Sequence, residues 1–144
     1  VRLPVNFFER IFKKMQFSES LKKNSDFQTV YKKGKSYSNR LLVMYVLPNN
    51  TDRNRLGISA SKKVGNSVVR HHFCRLVRES YRLHENIFNS GLDIVVVARK
   101  SAASASYAEI ESAILHLSKL HHILKIFFYD MGKDTDKQEN GEEC

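Results

Sequence analysis

The chain has 144 residues, 42% of them hydrophobic, with 24 Lys+Arg against 15 Asp+Glu and a formal net charge of +9. That length suits one ordinary domain and excludes a multidomain enzyme, and the hydrophobic share excludes a wholly disordered polymer. Two cysteines, Cys74 and Cys144, are too few for a disulfide framework, which points to a reducing, cytoplasmic setting. The longest apolar runs, residues 41–47 and 94–98, fall far short of the ~18 residues of a membrane span, and no secretory signal is visible.

Residues 1–20 read as an extension, amphipathic or disordered. Within it Phe8, Ile11, Phe12 and Met15 recur at helical spacing among Arg10, Lys13 and Lys14, and Met15 is a candidate start of the protein. Asn24 or Ser25 suits the cap of a helix over residues 26–33, with Phe27, Val30 and Tyr31 on one face and Gly34 as its stop. A short extended piece near residues 36–39 precedes a strong strand over 41–47, closed by Pro48 and an Asn/Asp-rich turn. Residues 55–61 alternate as a second strand. A helix over about 65–86 starts at Asn66 or Ser67, and Asn89-Ser90-Gly91 breaks it. Residues 92–98 form a near-continuous apolar strand, the kind buried on both faces. Ser106 caps a last helix from Tyr107 to about Lys125, with Ile110, Ile114, Leu117 and Leu124 toward the core. The order predicts a compact α/β layer, without internal repeats.

Charge is uneven along the chain. From Asp130 to the end there are six acids and two lysines, a net of −4 in a polar stretch that reads as a disordered acidic tail. Taking those away leaves 22 basic and nine acidic residues, a net of +13, on the body. A body so basic suits a polyanion, because each neutralised phosphate releases a condensed counterion. The tail reads as a shield for that body, displaced when the polyanion binds.

The central helix concentrates the charge. At 100° per residue from Val69, the residues Val69, Phe73, Leu76, Val77 and Leu83 form a core stripe. Arg78, His71, Arg82 and Arg75 occupy about 60° of the opposite arc. Arg70 flanks the stripe, and only Glu79 is near enough to offset the cations. One-sign stacking suits phosphates arriving from outside, and arginine's planar fork suits phosphate oxygens. Lys62 and Lys63 leave the preceding strand, and Gly65 permits a tight entry to the helix; the spacing of a nucleotide-binding phosphate loop is absent. Arg99 and Lys100 end the buried strand. If that strand lies parallel to residues 55–61, both basic pairs emerge at one sheet edge.

Three segments carry a family resemblance: Leu21-Lys22-Lys23-Asn24-Ser25-Asp26-Phe27-Gln28 with Val30-Tyr31; Arg55-Leu56-Gly57-Ile58-Ser59-Ala60-Ser61-Lys62-Lys63-Val64-Gly65-Asn66-Ser67-Val68-Val69-Arg70; and Val97-Ala98-Arg99-Lys100. Together they resemble the protein component of bacterial ribonuclease P, over roughly residues 21–124 of a domain set at 21–126, with 127–144 as the tail. The resemblance implies an α/β (α+β two-layer) fold similar to the second domain of ribosomal protein S5, a small mixed sheet packed by helices with a left-handed βαβ crossover, an exception to the usual handedness. It implies a subunit that binds a catalytic RNA and the 5′ leader of precursor tRNA, promoting endonucleolytic removal of the leader. Lys62, Lys63, Arg70, His71, Arg75, Arg78, Arg82, Arg99 and Lys100 would face RNA, while Phe27, Tyr31 and Tyr45 would line the leader cleft. The helix departs from the family pattern at His71, His72 and Cys74, where asparagine and basic residues are usual. Two histidines there predict an RNA affinity that depends on pH.

No carboxylate cluster or positioned histidine base supports an autonomous nuclease. The step from His116 to His121 is wrong for a metal site on one helix face. Cys74 lies among arginines that could lower its pKa, though a plain surface thiol is the simpler reading. No catalytic residue and no cofactor or metal is therefore expected in the protein itself, with magnesium ions held through the RNA and no obligate protein partner. A general RNA-binding or ribosome-associated module is the alternative. A membrane-surface protein using residues 1–15 is a weaker third.

Overall fold

The computed structural model describes Met15 and residues 17–125. The expected amphipathic segment, apart from Met15, and the acidic tail lie outside those residues. Along the chain run β1 (Ser18–Ser20), α1 (Asn24–Lys33), β2 (Lys35–Ser38), β3 (Leu42–Pro48), β4 (Asn54–Ser59), α2 (Ser67–His84), β5 (Leu92–Ala98) and α3 (Tyr107–Leu120). Short 3₁₀ turns occupy Glu85–Ile87 and Lys100–Ser104. The strands form one mixed sheet in the order β1-β4-β5-β3-β2. β1 is parallel to β4 and β4 to β5, while β3 runs antiparallel to both β5 and β2. None of the described helices is long and apolar enough to cross a membrane.

β5 is central because both its faces are apolar. Ile94 and Val96 point to the main core with Met44, Leu56, Phe73, Val77, Ile110 and Leu117. Val95, on the other face, packs with Val30 and Leu21 beneath α1. Thus α2 and α3 cover one face, and α1 adds a partial layer on the other. Completely burying side chains such as Val77, Ile110 and Leu117 contributes about 1.5–3 kcal/mol each. The last helix starts as its sequence indicates: the Ser106 hydroxyl accepts from Glu109 N at 3.2 Å, and Ser106 N donates to Glu109 Oε1 at 3.0 Å.

Several expectations need correction. Residues 18–20, read as the end of the extension, are a strand of the sheet. Their polar sequence hides this, because β1 is held by α2: the Ser18 and Tyr81 hydroxyls bond at 2.8 Å, and Phe17 N donates to the buried Glu85 carboxylate at 2.9 Å. Helix α1 begins at Asn24 after Lys23, with no side-chain cap. Gly34 ends it in extended backbone (φ −75°), and a Cβ there would lie 2.5 Å from the Val30 carbonyl oxygen, so close approach selects the glycine. α2 stops at His84, and its core stripe is rotated: Leu83 is 53% exposed, while Ser80 and Tyr81 are buried. α3 stops at Leu120; Leu124 is buried through a bridge to Phe88.

A salt-bridged group sits on the α1 face. Arg55 donates through Nε to Asp93 Oδ1 at 2.8 Å and through Nη2 to Oδ2 at 2.6 Å, and its Nη1 reaches Asp26 of α1 at 3.3 Å. Asn49 Nδ2 adds a bond to Asp93 at 2.9 Å. The hydrogen bond to Asp93 raises the Arg55 pKa further above its ordinary value, despite burial. Arg55→Met strands the buried Asp93 carboxylate and is expected to cost about 3 kcal/mol, while Arg55→Met with Asp93→Leu costs clearly less. Urea midpoints measure both, and equal losses would refute the pairing.

His121 caps α3 with Nε2 at 2.8 Å from the Met44 carbonyl oxygen and its ring edge-on to Tyr37. Burial lowers its pKa, so the fold holds it neutral. Below about pH 6.5 the unfolded chain takes a proton that the folded chain refuses, so stability falls with pH by at most about 1.4 kcal/mol per pH unit until the lowered folded value is passed. His121→Gln should remove that component of the stability–pH curve.

Candidate nucleic-acid interface

α2 is fixed at its start by Asn66, whose Oδ1 accepts from Val69 N at 3.0 Å. Its outward arc presents His71, His72, Arg75 and Arg78, all exposed. Arg82, expected on the same arc, is different: its side chain is only 14% exposed and pairs with Glu79. Arg70 is half-covered, and its Nε is buried without a hydrogen-bond partner among the described residues. The cations free to meet an anion are thus fewer than the sequence arc suggests.

Cys74 is a half-buried free thiol. Burial pushes its pKa up, against the lowering influence of Arg78 and Arg70. Desolvation outweighs the arginines, so it is not an activated nucleophile. Among the described residues no cluster of three or more His, Cys, Asp or Glu side chains could hold a metal ion.

The sheet edge gathers the other cations. Because β4 and β5 are parallel neighbours, their C-terminal ends release Lys62-Lys63 and Arg99-Lys100 at the same edge, all four exposed. Leu42 pairs with Ala98, so the β2–β3 turn lies one strand further along and adds Arg40, which the sequence reading missed. Arg99 Nη1 donates to the Asn39 carbonyl at 3.0 Å, tying the two loops together. Nothing local in the sequence singles out Arg40; only the β3–β5 register brings it beside Arg99.

The three aromatic residues expected in a cleft do meet. Phe27 and Tyr31 of α1 have ring centroids 6.3 Å apart, and Tyr31 stands edge-on to Tyr45 of β3 at 5.0 Å. All three are partly exposed, on the sheet face opposite α2 and α3. Phe27 lies against bare backbone: a Cβ at Gly57 would meet its ring at 2.7 and 2.8 Å. Gly57 therefore sets how low the ring sits on β4. Gly57→Ala should lift Phe27 and cost about 1–3 kcal/mol of stability by overpacking, measured by thermal or urea unfolding.

A small mixed-sheet domain with a basic helix, a basic sheet edge and a cluster of partly exposed aromatic rings fits the class of compact RNA-binding α/β proteins. The chain belongs to the ribonuclease P protein family, whose sequence model, described as Ribonuclease P, matches residues 15–122. The ribonuclease P protein component of Lachnoclostridium phytofermentans is 62% identical over 107 residues, covering 74% of this chain and 92% of that protein. That of Alkaliphilus metalliredigens is 52% identical over 103 residues, 72% of this chain and 93% of the relative. Among solved structures, the Staphylococcus aureus RNase P protein superposes with a TM-score of 0.70 at 38% identity, over 75% of this chain and 99% of its own. The Thermotoga maritima protein gives 0.65 at 31% identity, over 70% and 96%.

Proposed function

We propose that this chain is the protein subunit of a cytoplasmic ribonuclease P: it binds the catalytic RNA through α2 and the sheet edge, and holds the 5′ leader of precursor tRNA in the aromatic cleft. The observation carrying this reading is the meeting of Phe27, Tyr31 and Tyr45 on the sheet face away from the basic helix. Unpaired bases can stack there without sequence choice, for roughly 1–3 kcal/mol per base. Folded RNA, rich in phosphate, suits His71, Arg75, Arg78 and the two basic pairs. The chemistry of phosphodiester cleavage belongs to the RNA and its magnesium ions, and the protein supplies charge and substrate position. Arg82 is already paired with Glu79 and contributes less.

Precursor-tRNA cleavage by a bacterial ribonuclease P RNA at low magnesium, with and without the protein, tests the reading. Strong stimulation confined to substrates with a leader is expected. Tight RNA binding without stimulation would favour a general RNA-binding module instead. Phe27→Ala should weaken leader-bearing substrate more than mature tRNA; an equal loss would reduce the residue to a packing role.

Engagement of about six phosphates predicts that log affinity falls with log salt at a slope of about −4 to −5. Arg75→Ala and Arg78→Ala should each flatten it by about one unit, and Arg82→Ala by less, because Glu79 already offsets that charge.

A further inference from the structure

Beyond the basic edge, between the β2–β3 turn and the first half of α3, lies a groove of about 430 Å³. This is within the roughly 300–1,000 Å³ typical of small-ligand clefts. Leu41, Ala108 and Ala113 give it an apolar lining, and Arg40 and His116 bring two planar cationic or aromatic groups to its sides. The Arg40 side chain is 71% exposed and is steered by Glu109 at 3.4 Å. Glu109 is itself aimed by the capping box, with Oε1 on Ser106 N and Oε2 on Arg40. The guanidinium is therefore placed at the groove mouth by the same contacts that start α3.

We propose that this groove receives one unpaired nucleotide of the RNA partner, its base against the Ala108–Ala113 surface and Arg40, its phosphate toward Arg99 and Lys100. The proposal rests on the RNA-subunit reading above and extends that interface from α2 to α3. Continuity supports it. Adjacent strands lie about 4.8 Å apart, so Lys62-Lys63, Arg99-Lys100 and Arg40 follow one another across β4, β5 and β3 and lead a phosphate backbone from α2 to the groove. Chemistry supports it too. Arginine and imidazole planes stack on bases, and the Ser112 hydroxyl on the lining can bond a base edge. The exposed Arg40–Glu109 pair is weakly held and can yield to a nucleotide.

Two groove-filling variants of the full chain, Ala108→Leu and Ser112→Leu, test this without altering charge. Both positions are exposed on α3, where leucine suits the helix. Binding to ribonuclease P RNA is measured across a salt series beside Arg75→Ala, with circular dichroism confirming the fold. Each filler should weaken binding about ten-fold with the salt slope unchanged, whereas Arg75→Ala flattens the slope. A folded filler that binds within two-fold of wild type overturns the groove assignment while Arg75→Ala still reports the main interface. Failure of the wild-type chain to bind the RNA at all would instead overturn the functional reading on which the groove rests.

Discussion

Two parallel strands that are neighbours in a sheet cannot be joined by a tight turn; the chain must leave the sheet, travel its length and return. Between β4 and β5 that return journey is α2. The constraint decides most of what the surface offers. It sends both strands out at the same edge, which collects Lys62-Lys63 and Arg99-Lys100, and it lays an eighteen-residue helix across one face. Burial of Phe73, Val77 and Tyr81 then turns His71, Arg75 and Arg78 outward. The cationic surface follows from the topology of one crossover.

The opposite face is organised by a different contact. Among the described residues only α1 covers it, and only in part, so α1 is held there without a full core beneath it. Arg55 does this, joining the buried Asp93 of β5 to Asp26 of α1 while Phe27 rests on Gly57. An ionised pair is a costly fastener, because desolvation opposes its attraction, but it is directional in a way that apolar contact is not. The three aromatic rings stay partly exposed while the helix that carries two of them is tied down by charge.

Periodicity and turn chemistry made β3, β4, β5 and α3 legible from the amino acids. The meeting of Phe27, Tyr31 and Tyr45 came from family resemblance, and the structure brings them together. What escaped was long-range. β1 is a polar tripeptide whose order depends on Tyr81 and Glu85, more than sixty residues away. Leu83 fell on the core stripe by its helical angle, but the buried face is turned toward Ser80 and Tyr81 and leaves Leu83 in solvent. Arg82 looked like a free cation until Glu79, one turn back, was seen to hold it. Arg40 became visible only through strand register.

The two ends of the described body come together. Phe17 bonds to Glu85 and Lys125 N donates to the Ile87 carbonyl at 2.8 Å, so both ends meet the same 3₁₀ turn after α2. That turn is separated from the helix's N-terminus, and from the basic edge, by about 27 Å of helix at 1.5 Å per residue. The fold therefore has a handle. In a chain trimmed to residues 17–125, a linker joining Phe17 to Lys125 would give a circular permutant, and a dye, tag or surface tether attached at this turn would stand a helix length away from the cationic edge.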